Sequence, residues 1–273
     1  MGRGRALKAI DPHIHMVSRT TDDYLKLAVS GIHTVTEPAF WAGFDRSSAA
    51  GFRDYFHQLT DTEPTRAARF GIRHFCWIGL NSKEAENLSL ADEVLAIMPE
   101  YLDRPTAIGI GEVGLNKNSR NEITVLERQL TMAADRDELL LIHTPHLEEK
   151  LKGTRIIMEV ILSEPRLNPA RVLIDHAEEH TIAEIKDNGF WYGLTLYPHS
   201  KGSPERAIDA VEMYGPERIC INSSADWSVS DPLSVLKCAN EMRRRGHPEE
   251  LISKVFYENP REFLSQCPKF SAV

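Results

Sequence analysis

The sequence predicts a single-domain α/β barrel in which eight parallel strands alternate with helices. Two observations carry this prediction: short apolar runs recur between amphipathic helical patterns, and the 273 residues suit one such barrel. We therefore treat residues 1–273 as one domain of the (β/α)8, or TIM barrel, class. The alternative is an open doubly wound sheet, which usually has a glycine-rich turn after its first strand; His-Ile-His stands there instead.

The eight apolar runs are rich in Ile, Val, Leu and Phe, and they are too short for buried helices, so strands are favoured. In chain order they are LKAIDPH, GIHTVTEP, GIRHFCWIGL, PTAIGIGEVG, ELLLIHTP, RVLIDHA, GFWYGLTLYP and ERICINSSAD.

The segments between the runs carry the signals of helix starts. Thr21 can cap the first helix, and Ser119 with Glu122 forms a capping-box pattern before ITVLERQLTMAA. Thr181 and Glu184 form a second such pattern before IKDNG. We therefore expect helices to begin at these residues.

One connection, after the second run, is unusually long. It has about thirty residues, whereas a usual strand-to-helix loop has ~2–6. Part of it must be the second barrel helix. The front part contains Phe40, Trp41, Phe44, Asp45 and Arg46, and it is either a lid or substrate wall, or an aromatic cluster that covers the barrel edge.

Composition narrows the class of function. A net charge of −8 disfavours, without excluding, a protein that binds nucleic acid through its phosphates. The four cysteines are scattered and form no CxxC, which indicates reduced thiols in a cytoplasmic protein. No apolar stretch approaches the ~18 residues of a membrane span, and the basic N-terminus lacks the apolar core of a secretory signal.

Histidines and carboxylates recur where the predicted strands end. The C-terminal ends of the strands meet around one mouth of such a barrel, so these side chains are expected to converge. Residues two apart in an extended segment point to the same side, which pairs the first two histidines. The candidates are His13 and His15 on the first run, Glu112 on the fourth, His143 on the fifth, His176 on the sixth and Asp226 on the eighth.

Imidazole and carboxylate together suit divalent Zn, Mn, Fe, Co or Ni. Glu112 has two oxygens and can bridge two such ions, and a water between them becomes a strong nucleophile near neutral pH. Asp226 could bind one metal and accept the proton of that nucleophile. A lone histidine at a strand end is more often a packing residue, but coincidence at five strand ends favours a catalytic centre with two divalent metals.

The motifs at these positions resemble those of the amidohydrolase superfamily, and within it the TatD-related metal-dependent hydrolases. DPHIHM resembles the opening Asp-x-His-x-His of that family, and IGEVGLN resembles its Ile-Gly-Glu-x-Gly-Leu-Asp signature. LIHTP, LIDHAEE, SSADWS and ENPREFL resemble its later motifs, so the likeness covers residues 8 to 265. The resemblance implies that His13, His15, Glu112 and Asp226 hold one metal and that Glu112, His143 and His176 hold the other.

The departures from the family pattern lie on the substrate side. Ser224-Ala225-Asp226 stands where the nucleases have Glu-Thr-Asp, and Asn116 replaces the aspartate of the signature. The pattern VTEPAFW, HTPH and NSSADW is most similar to the EboB-like branch. The resemblance therefore implies the metal machinery without implying the DNase activity.

Four further residues are candidates for substrate binding. Glu37 ends the second run, and it could face the metals or form a structural salt bridge instead. Trp41 leaves that run on the catalytic side, and Tyr197 and Lys201 follow the seventh.

The leading hypothesis is a hydrolase with two divalent metals that acts on a carbonyl or phosphoryl centre of a small-molecule or phosphorylated substrate. The alternatives are a 3′–5′ exodeoxyribonuclease and a metal-stabilised binding or scaffold protein without turnover.

Overall fold

Eight parallel strands form one nearly closed barrel in the computed structural model, which describes residues 7–146 and 149–272. Each strand pairs with the next in chain order, from β1 to β8, which confirms the predicted class. At the mouth the ends of β1 and β8 are joined, because His15 N–H donates to the Ala225 carbonyl and Ser224 N–H donates to the His13 carbonyl. The strands are β1 (Ala9–Asp11), β2 (Ile32–Pro38), β3 (Arg73–Ile78), β4 (Ala107–Gly114), β5 (Leu139–His143), β6 (Val172–Ile174), β7 (Trp191–Thr195) and β8 (Ile219–Asn222).

The helices lie between successive strands and after the last one. In the described residues they are α1 (Thr21–Ser30), α2 (Ala49–His57), α3 (Glu63–Ala68), α4 (Leu88–Leu102), α5 (Arg120–Arg136), α6 (Lys150–Ser163), α7 (Glu179–Asp187), α8 (Pro204–Tyr214), α9 (Ser234–Arg244), α10 (Glu249–Ser253) and α11 (Asn259–Leu264). No helix in this part of the chain is long and apolar enough to cross a membrane.

Of the three expected helix starts, one is confirmed in full, one has a different capping residue and one lies at a different position. The capping box of α5 is confirmed, since Ser119 Oγ accepts from Glu122 N–H at 3.1 Å. Helix α1 begins at Thr21, with Thr20 in the capping position. The expected start at Thr181 is wrong: α7 begins two residues earlier, because Glu178 N–H donates to Thr181 Oγ1 at 3.0 Å and closes the first turn there.

Besides the large apolar core that includes the helices, a smaller apolar core fills the barrel interior at the end opposite the mouth. Trp77 and Trp191 point inward there, and Phe263 of α11 stacks on Trp77 and packs at a tilt against Trp191. Gly109 makes room for this layer, because a Cβ at that position would lie 2.8 Å from the Trp77 ring. Since this end is plugged, the polar residues at the mouth form the accessible end of the barrel.

The long segment after β2 forms part of the mouth before it becomes helical. Residues 39–48 precede α2, a π-helical turn (Gln58–Thr62) and α3. Arg46 anchors this loop: its guanidinium lies 2.7 Å from Glu84 and 3.9 Å from the centre of the Tyr55 ring. Arg46 and Phe40 are buried and pack against the barrel edge, whereas Trp41 is partly exposed at the mouth, so the role of the segment as a lid or substrate wall stays a prediction.

Candidate metal centre

Five of the six predicted metal ligands converge at the mouth in two groups that share Glu112. The first group is His13, His15 and Glu112, and the second is Glu112, His143 and His176; within each, the donor atoms lie within 4.8 Å of one another. Glu112 Oε1 lies 2.8 Å from both His143 Nδ1 and His176 Nε2. His13 Nε2 lies 3.0 Å from His15 Nε2. Such clustering of imidazoles around one carboxylate fits divalent cations.

The protonation states of these groups also suit a cation. Burial lowers the pKa of His15, His143 and His176, which keeps their imidazoles neutral and their lone pairs available. Burial alone would raise the pKa of Glu112, but His143 and His176 hold it well below its usual range. His143 Nε2 is buried without a hydrogen-bond partner among the described residues, so this nitrogen is available to bind a cation.

Asp175 orients the first histidine, and sequence reasoning missed it. Its Oδ2 lies 2.5 Å from His13 Nδ1, which turns His13 Nε2 toward the cluster. Its Oδ1 accepts from Asn222 Nδ2 at 2.9 Å and from His176 N–H at 2.7 Å. Gly193 is required opposite, because a Cβ there would lie 2.0 Å from Asp175 Oδ1. An aspartate at the end of a buried apolar run was the available signal, since such a carboxylate must have partners.

His176 is held by side chains from two neighbouring elements. Its Nδ1 lies 2.7 Å from Thr195 Oγ1 on β7, and its backbone adopts a φ of 57°, which is unusual for a residue with a side chain. Lys150 at the start of α6 stabilises that turn by donating to the His176 carbonyl at 2.7 Å and to Thr144 Oγ1 at 2.9 Å. Burial lowers the pKa of Lys150 to about 8. The sequence alone drew no attention to this lysine.

Asp226 lies on the wall of the mouth and belongs to neither donor group. Its Oδ1 accepts from the Tyr197 hydroxyl and from Ser228 N–H, both at 2.8 Å. The chain turns at Ser224, whose φ is 43°, so Asp226 is carried past the end of β8. Ligation of a metal by Asp226 therefore stays a prediction.

Tyr197, Lys201 and Trp41 line the same cavity of about 330 Å³ as the metal-binding candidates. Burial and the bond to Asp226 raise the pKa of Tyr197 to about 12, so its hydroxyl keeps the proton that it donates. Lys201 Nζ lies 3.1 Å from His176 Nε2 and 3.4 Å from Ser224 Oγ. Trp41 lies at the rim, where Lys83 Nζ is 4.6 Å from its ring centre.

Glu37 is not among the residues that line this cavity, so a role in substrate binding stays a prediction, and its contacts agree with the alternative of a structural salt bridge. Successive residues of β2 face opposite sides: Thr36 bonds to Trp77 inside the barrel, so Glu37 faces outward. There its oxygens accept from Val17 N–H at 2.7 Å and lie 2.7 Å from His74 Nε2. Glu37 is therefore buried among protein partners.

Comparisons with known proteins show the family to which the chain belongs. Residues 10–265 match the family model described as TatD related DNase, so the chain belongs to the TatD-related family and is an enzyme of the metal-dependent hydrolase class. The alternative of a scaffold without turnover is therefore not supported.

Three similar proteins match over nearly their whole length. An uncharacterized metal-dependent hydrolase of Methanocaldococcus jannaschii is 28% identical over 255 residues, which covers 93% of this chain and 98% of the relative. The crystal structure of a TatD-like protein from Archaeoglobus fulgidus has a TM-score of 0.76 at 27% identity and covers 94% of this chain and 99% of its own. A phosphotriesterase homology protein from Escherichia coli, with a TM-score of 0.68 at 13% identity, shares the fold and covers 96% of this chain and 100% of its own.

Proposed function

We propose that the chain hydrolyses a small-molecule or phosphorylated substrate at a carbonyl or phosphoryl centre, with Glu112 shared by two divalent cations. The observation that carries this proposal is the presence of Glu112 Oε1 in both groups of donor atoms. Zn, Mn, Fe, Co and Ni are the candidates, because the donors are imidazoles and a carboxylate.

Cations bound at such a site polarise the scissile oxygen and make a water molecule acidic enough to lose a proton near neutral pH. The protein residues then supply geometry and proton transfer. His13 and His176 are held rigidly by Asp175 and Thr195. Asp226, on the cavity wall, accepts the proton of the attacking water and delivers it to the leaving group. Tyr197 orients Asp226 through its hydrogen bond.

The charge of the cavity supports an anionic substrate. Lys83 and Lys201 both line it, and neither amino group lies within 4.0 Å of a carboxylate oxygen in the described residues. Two lysines without a carboxylate partner in a cleft favour a negatively charged ligand, such as a phosphate or a carboxylate of the substrate. Trp41 at the rim supplies an apolar contact for the rest of the molecule.

A 3′–5′ exodeoxyribonuclease is the second candidate, and membership of the TatD-related family favours it. The net charge of −8 favours the small substrate, because tracking a nucleic-acid backbone usually requires a basic groove.

The proposal is tested by metal content and turnover. We expect protein purified without chelator to carry close to two divalent ions by elemental analysis, and Glu112→Gln to lose most of both. Glu127→Gln on the exposed face of α5 is the matched control and should keep them. A metal-supplemented screen across phosphoesters, lactones, amides and single-stranded DNA then separates the two candidates. Wild-type protein with no metal above background would overturn the proposal.

A further inference from the structure

Asn81, in the loop after β3, contacts the carboxylate shared by the two donor groups. Its side-chain amide Nδ2 donates to Glu112 Oε2 at 3.1 Å, and the residue is 4% exposed. No candidate was named on the third run from the sequence, so this contact adds the loop after β3 to the site.

The direction of the Asn81 amide is determined by a second hydrogen bond. Lys83 N–H donates to Asn81 Oδ1 at 3.1 Å, as Asn81 caps the short 3-10 turn Ser82–Glu84. A backbone N–H requires an acceptor, so Oδ1 must face Lys83 and the NH₂ group must face Glu112. The amide therefore cannot flip to offer Glu112 its oxygen.

The two oxygens of Glu112 thus have different surroundings. Oε1 lies 2.8 Å from His143 Nδ1 and from His176 Nε2, and 3.9 Å from His13 Nε2. Oε2 is the oxygen that receives the Asn81 amide.

We infer that Asn81 is a positioning residue that holds the Glu112 carboxylate through Oε2 and would leave Oε1 directed at the metal-binding histidines. This inference rests on the proposed function, since it concerns how the shared carboxylate binds metal. Asn81 rotates the carboxylate plane and shares its negative charge, and outer partners of this kind commonly change metal affinity by ~10–100-fold.

The cap alone would explain only half of the contacts of Asn81. A capping residue needs an acceptor for Lys83 N–H, which serine supplies as well as asparagine. Serine is too short to reach Glu112. Asn81→Ser therefore keeps the cap and removes the amide donor. Asn87→Ser is the matched control, because Asn87 caps α4 by accepting from Leu90 N–H at 3.1 Å and lies outside the metal cavity.

The experiment measures zinc and manganese affinity by chelator competition, together with infrared difference spectra of metal-loaded against metal-free protein. We expect Asn81→Ser to bind metal ~10–100-fold more weakly, and its metal-dependent carboxylate bands to shift from their wild-type positions. Asn87→Ser should keep the affinity and the spectrum of wild type. The melting temperature of the metal-free protein should be similar in the two variants.

Wild-type affinity and an unchanged spectrum in Asn81→Ser would overturn the inference and leave the proposed function intact. Wild-type protein that binds neither metal would overturn both. If Asn81→Ser does not fold, Asn81→Asp replaces it, because aspartate keeps the acceptor for Lys83 and lacks the donor. Unchanged carboxylate bands in Asn81→Asp would then count against the role of Asn81.

Discussion

His13 Nδ1 lies 2.5 Å from Asp175 Oδ2, which joins the first strand of the barrel to the loop after the sixth. Burial alone would raise the pKa of Asp175, but His176 and the bond from His13 hold it well below its usual range. The carboxylate therefore stays ionised and fixes the tautomer of His13, with Nε2 left free for a cation. The orientation of His13 thus depends on a residue that lies outside the two groups that share Glu112.

We predict that Asp175→Asn weakens divalent-metal binding by ~10–100-fold, because the neutral amide orients His13 less strongly and lowers its basicity. Chelator competition gives the affinity, and circular dichroism checks the fold. Asp187→Asn, on an exposed turn of α7, makes the same change in charge and should bind metal like wild type. Unchanged affinity in Asp175→Asn would show that packing alone orients His13.

We predict that Asp226→Asn lowers kcat by at least ~100-fold, since general acid–base groups contribute ~10²–10⁴-fold. Metal content separates the two possible roles of Asp226. If Asp226 only carries a proton, the variant keeps its metals, whereas if Asp226 is a ligand, the variant loses one of them. Tyr197→Phe removes the hydrogen bond to Asp226 and should give a smaller loss of kcat with full metal content. A reloaded Asp226→Asn enzyme with a kcat near wild type would exclude the proton-carrier role.

We predict that Trp41→Ala raises KM or changes substrate preference and leaves bound metal unchanged, because the ring lies at the cavity rim. The opposite result, a large fall in melting temperature with an unchanged KM, would mark Trp41 as a packing residue, for which truncation costs ~3–5 kcal/mol. Phe44→Ala is the matched control on the same loop, since its side chain is 64% exposed and does not line the metal cavity.

We predict that Glu37→Gln stabilises the protein increasingly as pH rises above about 5. Burial raises the pKa of Glu37 well above its usual range, and burial lowers the pKa of the adjacent His74 to about 4, so this pair is neutral in the folded state. Glu37 has a raised folded pKa, so its contribution to stability is full below the unfolded pKa and is lost as pH rises through the folded value.

Glutamine mimics the protonated acid and does not lose this contribution. The free energy of unfolding of the variant should therefore rise relative to that of wild type by up to about 1.4 kcal/mol per pH unit. Urea unfolding at several pH values from 5 to 7 measures the difference. A constant difference across that range would contradict the raised pKa.

The alternation of short apolar runs with helical patterns, together with the barrel rule, was sufficient to predict the fold and the convergence of five candidate metal-binding side chains. His13 and His15 share a face because they are two residues apart, and strand ends of a parallel barrel meet at one mouth whatever the loops contain. The capping box of Ser119 and Glu122 was also predictable, since both residues lie within one helical turn. These features depend on short-range geometry or on a rule that holds for the whole fold class.

Only the tertiary structure decided the contacts between residues far apart in the chain. Asp175 reaches His13 across 162 residues and Asn81 reaches Glu112 across 31, and no local pattern encodes such pairs. Glu37 has a strand-end position similar to those of the candidate ligands, yet it lies on the outward face of β2 and contacts His74. The turn at Ser224 places Asp226 on the cavity wall, outside the two groups that share Glu112. A strand-end position places a residue at the mouth, whereas side-chain direction and partner contacts depend on packing against distant segments.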